Sequence, residues 1–173
     1  LLVNRDLTIR YKRSVIGIGW TLLNPMLTSF VLWVVFSFAF GSRLVAGQQF
    51  APYLMAGILL HTFFNQGTWL ASESISSNSE ILTKIYVPPQ IFAISAAISA
   101  FVNFSISLLP LAIVVLISGQ SLSFTLPLVA IVGVCMTLLV VGIGLMLSTF
   151  FVRFDDTRNI VSVLLMIALY VTP

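Results

Sequence analysis

The side chains that could carry chemistry in water are gathered in two short polar segments, residues 73–89 and 153–158. Their charged and turn-forming members are Glu73, Glu80, Lys84, Tyr86, Pro88, Arg153, Asp155, Asp156 and Arg158. Asp155 and Asp156 form an acidic pair, a kind of group that can hold Mg²⁺ and phosphate. An arginine on each side makes this pair a poor metal site, and the sequence has no G-x-x-x-x-G-K-[ST] phosphate loop. We therefore predict that the chain is not an enzyme and that any energy it uses arrives through a partner.

The composition places the chain in a lipid bilayer, because 59% of its 173 residues are hydrophobic and 8% are charged. A soluble domain would have about 25% charged residues. Since a membrane helix needs about 20 residues, the length allows roughly four or five spans and no additional soluble domain. The net charge of +3 does not indicate a nucleic-acid partner. Half of the basic residues lie together before the first apolar run, where they indicate a cytoplasmic anchor: Arg5, Arg10, Lys12 and Arg13.

Charged and turn-forming residues divide the apolar sequence into five predicted membrane helices. Residues 14–42, 44–72 and 85–152 contain no Asp, Glu, Lys or Arg. The last of these stretches is long enough for two spans, broken at the Ser-Gly-Gln-Ser sequence at 118–121. The predicted spans are 19–40, 53–71, 91–117, 126–151 and 159–173. The fifth apolar run is only about 22 Å long at 1.5 Å per residue. We therefore expect a truncated fifth span and a sequence that is a fragment of a longer protein.

The basic residues also predict an orientation. With the N-terminus in the cytoplasm, all of the eight Lys and Arg residues except Arg43 lie on the cytoplasmic side. Leu7, Tyr11 and Val15 recur at helical spacing with basic residues between them, which is typical of an amphipathic helix in the membrane interface. The sequence thus predicts an all-α polytopic bundle: residues 1–173 are one transmembrane domain that begins with an interfacial helix at 1–17.

The predicted spans contain no Asp, Glu, Lys or Arg. Ion-coupled carriers usually need an ionisable group inside the membrane, so ion coupling is disfavoured. His61 is the titratable exception, and we interpret it as an interfacial or hydrogen-bonded residue rather than as a proton relay. The lone Cys135 excludes a disulfide framework and a cysteine-based metal site.

One face of the third predicted span combines small and polar side chains. Ser95, Ser99, Asn103 and Ser107 recur every four residues along it. Small residues allow close helix contact, and hydroxyl and amide groups can hydrogen-bond between helices. We predict that this face packs the bundle together and that Gly144 and Ser148 of the fourth span provide a partner surface.

Aromatic residues share one side of the first predicted span: Phe30, Trp33 and Phe40. Their rings could line a path along which the faces of sugars slide. Lipid contact and anchoring at the interface are the alternative explanation, and the sequence leaves both open.

Three motifs occur in a defined order along the chain: RDLTIRYKRSVIGIGWTLLNP at 5–25, ILTKIYVP at 81–88 and VRFDDTR at 152–158. They resemble, respectively, the start of the first span and the first and second cytoplasmic loops of permeases that export O-antigen, capsule or teichoic-acid chains. These permeases are type-2 ABC transporters. Because the three motifs extend from residue 5 to residue 158, the resemblance covers nearly the whole chain.

This resemblance implies a six-span permease of the bacterial cytoplasmic membrane that forms a homodimer and binds two ABC ATPase subunits. The ATPase would bind ATP and Mg²⁺, so this chain would hold no cofactor, and the substrate would be a lipid-linked glycan. Residues 73–88 would provide the main contact with the ATPase, and residues 153–158 a second contact. This sequence departs from the family's pattern at its end, where the sixth span and the outer segment before it are missing.

Three other functions remain open. A type-2 ABC permease for drugs or small lipids would have the same composition, and only the motifs separate it from a glycan exporter. A membrane-embedded polyprenyl-phosphate sugar transferase would need acids at the membrane face, for which Asp155–Asp156 is the candidate. A passive channel would need no ATPase partner.

Overall fold

The computed structural model describes residues 50–84, 86–117 and 125–171, together with isolated positions between 23 and 34. The predicted interfacial helix at 1–17 lies outside the described residues, as does most of the predicted span at 19–40. Every regular element in the described part is an α-helix, which confirms the all-α prediction there. In chain order these helices are α1 (Phe50–Ser77), α2 (Ser79–Lys84), α3 (Gln90–Ile117), α4 (Thr125–Arg153) and α5 (Asp156–Val171).

Two of the described helices are long and apolar enough to cross a membrane. The qualifying stretches are Gln90–Ile113 of α3 and Ile131–Arg153 of α4. α1 has 28 residues, but His61, Asn65 and Gln66 interrupt its apolar sequence. α5 has 16 residues, and a span needs about 20. The count of five spans therefore stays a prediction.

α1 continues past the predicted span at 53–71 into a serine-rich segment. Serine often favours turns because its hydroxyl competes for backbone groups. Here Ser72 Oγ instead donates to the carbonyl oxygen of Thr68, one turn back in the same helix, at 2.7 Å. Asn78 Nδ2 donates to the carbonyl oxygen of Ser74 at 2.7 Å and satisfies a carbonyl at the helix end. These local bonds satisfy the polar side chains, so the serine-rich segment can be helical without leaving them unpaired.

Glycine residues set the distance between α1 and its neighbours. A Cβ atom added to Gly67 of α1 would lie 3.0 Å from Val140 Cγ1 of α4 and 3.4 Å from Ala100 Cβ of α3. A Cβ atom added to Gly144 of α4 would overlap Ala71 Cβ of α1. From the first contact to the second, the residue number rises in both helices, from Gly67 to Ala71 in α1 and from Val140 to Gly144 in α4. These two helices therefore run in the same direction.

α3 runs in the opposite direction. The rings of Phe63 in α1 and Phe104 in α3 stack with centroids 4.8 Å apart. Further along α1, Gly67 meets Ala100, which lies earlier in α3. The three helices therefore form an antiparallel arrangement with α3 reversed, and their contacts bury an apolar core that includes Met55.

A separate apolar cluster attaches α5 to the bundle. Phe151 near the end of α4 is 1% exposed and packs with Val161 and Leu165 of α5. The Trp69 ring of α1 meets the Phe151 ring edge-on, with centroids 5.7 Å apart. Most other described side chains of α5 are exposed, so this cluster is the main apolar attachment of α5 within the described residues.

Candidate functional site

The two polar segments, residues 73–89 and 153–158, lie at the same end of the bundle, which we call the loop end. α1 and α4 run in one direction and α3 runs in the other, so the last turns of α1 and α4 meet the first turn of α3 there. α2 and the start of α5 adjoin these turns directly in the chain. The fold thus gathers the sequence-predicted loop residues on one side of the molecule.

α2 presents its charged side chains outward. Glu80 and Lys84 are exposed, and no residue of α2 is buried. Tyr86, just beyond α2, is fully exposed, and Pro88 is exposed as well. Glu80 lies in the first turn and Lys84 in the last turn, so each charge is favourably placed in the helix dipole. This surface has the exposure that a docking partner would require.

The second polar segment forms a tight turn between α4 and α5. The backbone N–H of Arg158 donates to the carbonyl oxygen of Asp155 at 3.2 Å and closes the first turn of α5. Arg153, Asp155 and Asp156 are all exposed. In the described part of the chain, the ion pair at this end is made by Arg158 with Glu73.

Arg158 links the second polar segment to the first. Its Nη2 atom donates to Ser76 Oγ at 2.7 Å. Its Nη1 atom lies 3.9 Å from Glu73 Oε1, and the side chains of Arg158 and Glu73 are 36% and 34% exposed. One guanidinium group therefore connects the last turns of α1 with the first turn of α5. We call this set of contacts the Arg158 bridge, defined by Arg158, Ser76 and Glu73.

Sequence reasoning placed Glu73 and Arg158 in the same set of loop residues but did not pair them. Both fall on the side predicted to face the cytoplasm, and their charges are opposite. Opposite charge and a shared side therefore indicated that the two residues could pair, but Lys84 and Arg153 met the same two conditions as partners for Glu73. Ser76 carried no signal, because a serine within a serine-rich segment does not stand out.

The polar face of α3 is buried. Ser95, Ser99, Asn103 and Ser107 are at most 9% exposed. Ser99 Oγ donates to the carbonyl oxygen of Ser95 at 2.9 Å, and Ser107 Oγ donates to that of Asn103 at 2.9 Å. These two hydroxyls are satisfied within α3, which lets them be buried at low cost.

Gly144 of α4 lies against α1 rather than against the polar face of α3. The three atoms nearest to a Cβ added at Gly144 all belong to Ala71. Ser148 is 1% exposed and donates through Oγ to the carbonyl oxygen of Leu145 at 2.8 Å. The small residues of α4 thus permit a close contact with α1, which sequence spacing alone did not indicate.

Two polar atoms of α1 are buried with no hydrogen-bond partner among the described residues: His61 Nε2 and Thr68 Oγ1. They lie about two turns apart on the same face of the helix. Of the two interpretations of His61, interfacial or hydrogen-bonded, the second is not met at Nε2 among the described residues. Sequence reasoning did not single out Thr68.

The aromatic side of the first predicted span is described only in part. Phe30 is 61% exposed. Trp33 and Phe40 lie outside the described residues. Within the described residues, no group of three His, Cys, Asp or Glu side chains comes together in a way that could hold a metal ion.

These features define a class of protein: a helical bundle with apolar membrane-length helices and polar segments gathered at one end. The chain belongs to the ABC-2 type transporter family, whose model matches residues 1–173. Family membership and the two apolar helices together show that this is a membrane protein. The resemblance found in the three sequence motifs is thereby confirmed at the level of the family.

Relatives match along nearly the whole chain. The O-antigen export system permease protein RfbA of Myxococcus xanthus is 27% identical over 172 residues, which cover 99% of this chain and 65% of that protein. Two proteins of Klebsiella pneumoniae with the same name are 24% and 25% identical over 177 residues, which cover 100% of this chain and 66% of each. This chain therefore spans slightly less than two thirds of the length of these relatives.

Proposed function

We propose that this chain belongs to the permease subunit of an ATP-driven exporter that moves a lipid-linked polysaccharide across the bacterial cytoplasmic membrane. The observation that carries the proposal is the match of the whole chain to O-antigen export permeases of two organisms. The three motifs at 5–25, 81–88 and 152–158 support the same class of substrate. The family match supports a transporter of the ABC-2 type.

In this proposal an ABC ATPase subunit supplies the energy by binding ATP and Mg²⁺. The loop end is its docking surface, because Glu80, Lys84 and Tyr86 are exposed there and are not used in the apolar core. The basic residues favour a cytoplasmic position for this end, which is where ATP is available. Two permease copies and two ATPase copies form the working exporter.

A polysaccharide is too long to be enclosed in a pocket, so its path must be continuous across the membrane. An interface between two permease copies provides such a path. Phe30, Trp33 and Phe40 are the aromatic residues we assign to it, because ring faces pack well against sugars. ATP binding then shifts the two copies relative to each other through the loop end.

The proposal is tested by deleting the gene in its own organism and restoring it with the full-length protein. The glycan is measured at the cell surface, and its lipid-linked form is measured inside the cell. We expect the deletion to remove surface glycan while the lipid-linked form accumulates, and the restored gene to reverse both changes. This outcome distinguishes a block in export from a block in synthesis.

Other outcomes favour the alternatives. Normal surface glycan together with altered drug sensitivity or lipid distribution would favour a permease for drugs or small lipids. Loss of the lipid-linked form itself would favour a sugar transferase. Either result would overturn the proposal of polysaccharide export.

A further inference from the structure

The Arg158 bridge connects two segments that are 82 residues apart in the chain, through the 2.7 Å hydrogen bond from Arg158 Nη2 to Ser76 Oγ. Glu73 adds an opposite charge 3.9 Å from Nη1. Arg158 is the second residue after the start of α5 at Asp156, and Ser76 is the last residue but one of α1. The bridge therefore sets where α5 begins relative to the end of α1.

The contribution of this bridge to the free energy of unfolding is expected to be small. Both charged side chains are about one-third exposed, and exposed ion pairs contribute little because water screens them. A contact that adds little stability can still fix a geometry, since the guanidinium group has fixed directions for its donors. The role of the Arg158 bridge is then to fix the position of α5 rather than to add stability.

The position matters because, among the residues that the structure describes, α5 is otherwise held by few contacts. Its apolar attachment within the described residues is the cluster of Phe151, Val161 and Leu165. Towards the loop end, the start of α5 is tied to α1 through Arg158. On the other side of the bridge, Asn78 joins the end of α1 to α2, where its carbonyl oxygen accepts the backbone N–H of Ile81 at 3.0 Å.

We infer that Arg158 is a positioning residue that couples the two polar segments, so that a displacement of α2 by a partner is passed to α5 through the last turn of α1. The inference rests on the proposed function, because it assumes that the partner at α2 is the ATPase. It goes beyond that function by naming the contacts that pass the displacement on, in the order α2, Ser76 with Glu73, Arg158 and α5.

Charge reversal tests this route in the full-length protein purified together with its ATPase and reconstituted into vesicles. The variants are Glu73→Arg, Arg158→Glu and the double variant that restores opposite charges. We expect each single variant to copurify with the ATPase but to export roughly tenfold less glycan per ATP hydrolysed, a typical size for coupled residues. The double variant should regain most of the loss.

Two controls distinguish a positioning role of Arg158 from a nonspecific effect of charge and from a loss of stability. Arg153→Glu combined with Glu73→Arg should not restore export, because Arg153 makes no ion pair with Glu73. The melting temperature of each variant in detergent should stay close to that of the wild type. A fall in melting temperature that parallels the loss of export, or restoration by Arg153→Glu, would overturn the inference.

The inference and the proposed function fail in different ways. If the wild-type protein has no ATPase partner or exports no glycan, the proposed function fails and the inference fails with it. If the wild-type exports and the single charge reversals export equally well, the Arg158 bridge alone has no coupling role.

Discussion

At the scale of single residues, Thr68 offers a direct test of the buried polar atoms in α1. Its side chain is 1% exposed, and Oγ1 has no hydrogen-bond partner among the described residues. A buried hydroxyl without a partner costs about 1–3 kcal/mol. Thr68→Val keeps the shape and removes that cost, so we expect the free energy of unfolding to rise by about 1 kcal/mol.

Thermal unfolding of the full-length protein in detergent measures this change. Ser72→Ala is the matched control, because Ser72 lies one turn further along α1 and its hydroxyl is hydrogen-bonded. We expect Ser72→Ala to lower the melting temperature slightly. A lower melting temperature for Thr68→Val would show that the Thr68 hydroxyl has a partner in the assembled protein.

The loop residues show which features of single residues can be predicted from the sequence and which cannot. The charges of Glu73, Arg153 and Arg158 were enough to predict an exposed polar end, because charged side chains stay out of an apolar bundle. The pairing of Arg158 with Glu73 was not predictable, because it depends on how α5 returns along the bundle. By charge alone, Arg153 was as good a partner for Glu73 as Arg158.

At the scale of helices, the contact between α1 and α4 depends on a glycine. A Cβ atom at Gly144 would overlap Ala71, whereas a Cβ atom at Gly142 would meet nothing within 4 Å. Gly144→Ala should therefore destabilise the protein by about 1–3 kcal/mol, as overpacking does. Gly142→Ala should be neutral or stabilise by about 0.5–1 kcal/mol, because alanine loses less entropy in a helix.

Melting temperatures of the two glycine variants in detergent check this expectation. The two substitutions add the same methyl group to the same helix, so their difference isolates the contact with Ala71. Equal melting temperatures for the two variants would mean that α1 and α4 are not this close in the protein.

The attachment of α5 is tested by two adjacent phenylalanines of α4. Phe151 is 1% exposed in the cluster with Val161 and Leu165, whereas Phe150 is 43% exposed. Phe151→Ala should cost about 3–5 kcal/mol, typical of a large buried side chain. We expect hydrogen exchange of the α5 amides to increase in Phe151→Ala and to stay unchanged in Phe150→Ala. Similar exchange in both variants would contradict the role of the cluster.

The helices themselves were predictable to different extents. The charge-free stretch at 85–152 predicted two apolar helices, and α3 and α4 lie within about two residues of the predicted bounds, because apolar length is a strong signal. The break predicted at 118–121 lies outside the described residues. The end of α1 was not predicted, because serine usually marks a turn and the hydrogen bond from Ser72 to Thr68 is invisible in the sequence. Helix length follows from composition, whereas the contacts of Gly144 and Phe151 require the register between helices.

At the scale of the whole molecule, the predicted orientation places the loop end in the cytoplasm. Asn78→Cys reports on this end, and Gln120→Cys reports on the predicted break between the third and fourth spans. Both are made in a background in which Cys135 and any further cysteine of the full-length protein are replaced by serine, so that each variant carries one thiol. A membrane-impermeant maleimide should label Gln120→Cys in intact cells and Asn78→Cys only after the cells are opened. Labelling of Asn78→Cys in intact cells would reverse the orientation and place the loop end away from ATP.

The central claim is that this chain belongs to a permease that an ATPase drives through the loop end. It is tested most directly by purifying the full-length protein from its own organism in detergent and measuring ATP hydrolysis by whatever copurifies. We predict that an ABC ATPase subunit copurifies and that its hydrolysis rate falls several-fold when Glu73 or Lys84 is changed to the opposite charge. A permease that purifies alone and hydrolyses no ATP would contradict the account and favour a passive channel or an enzyme.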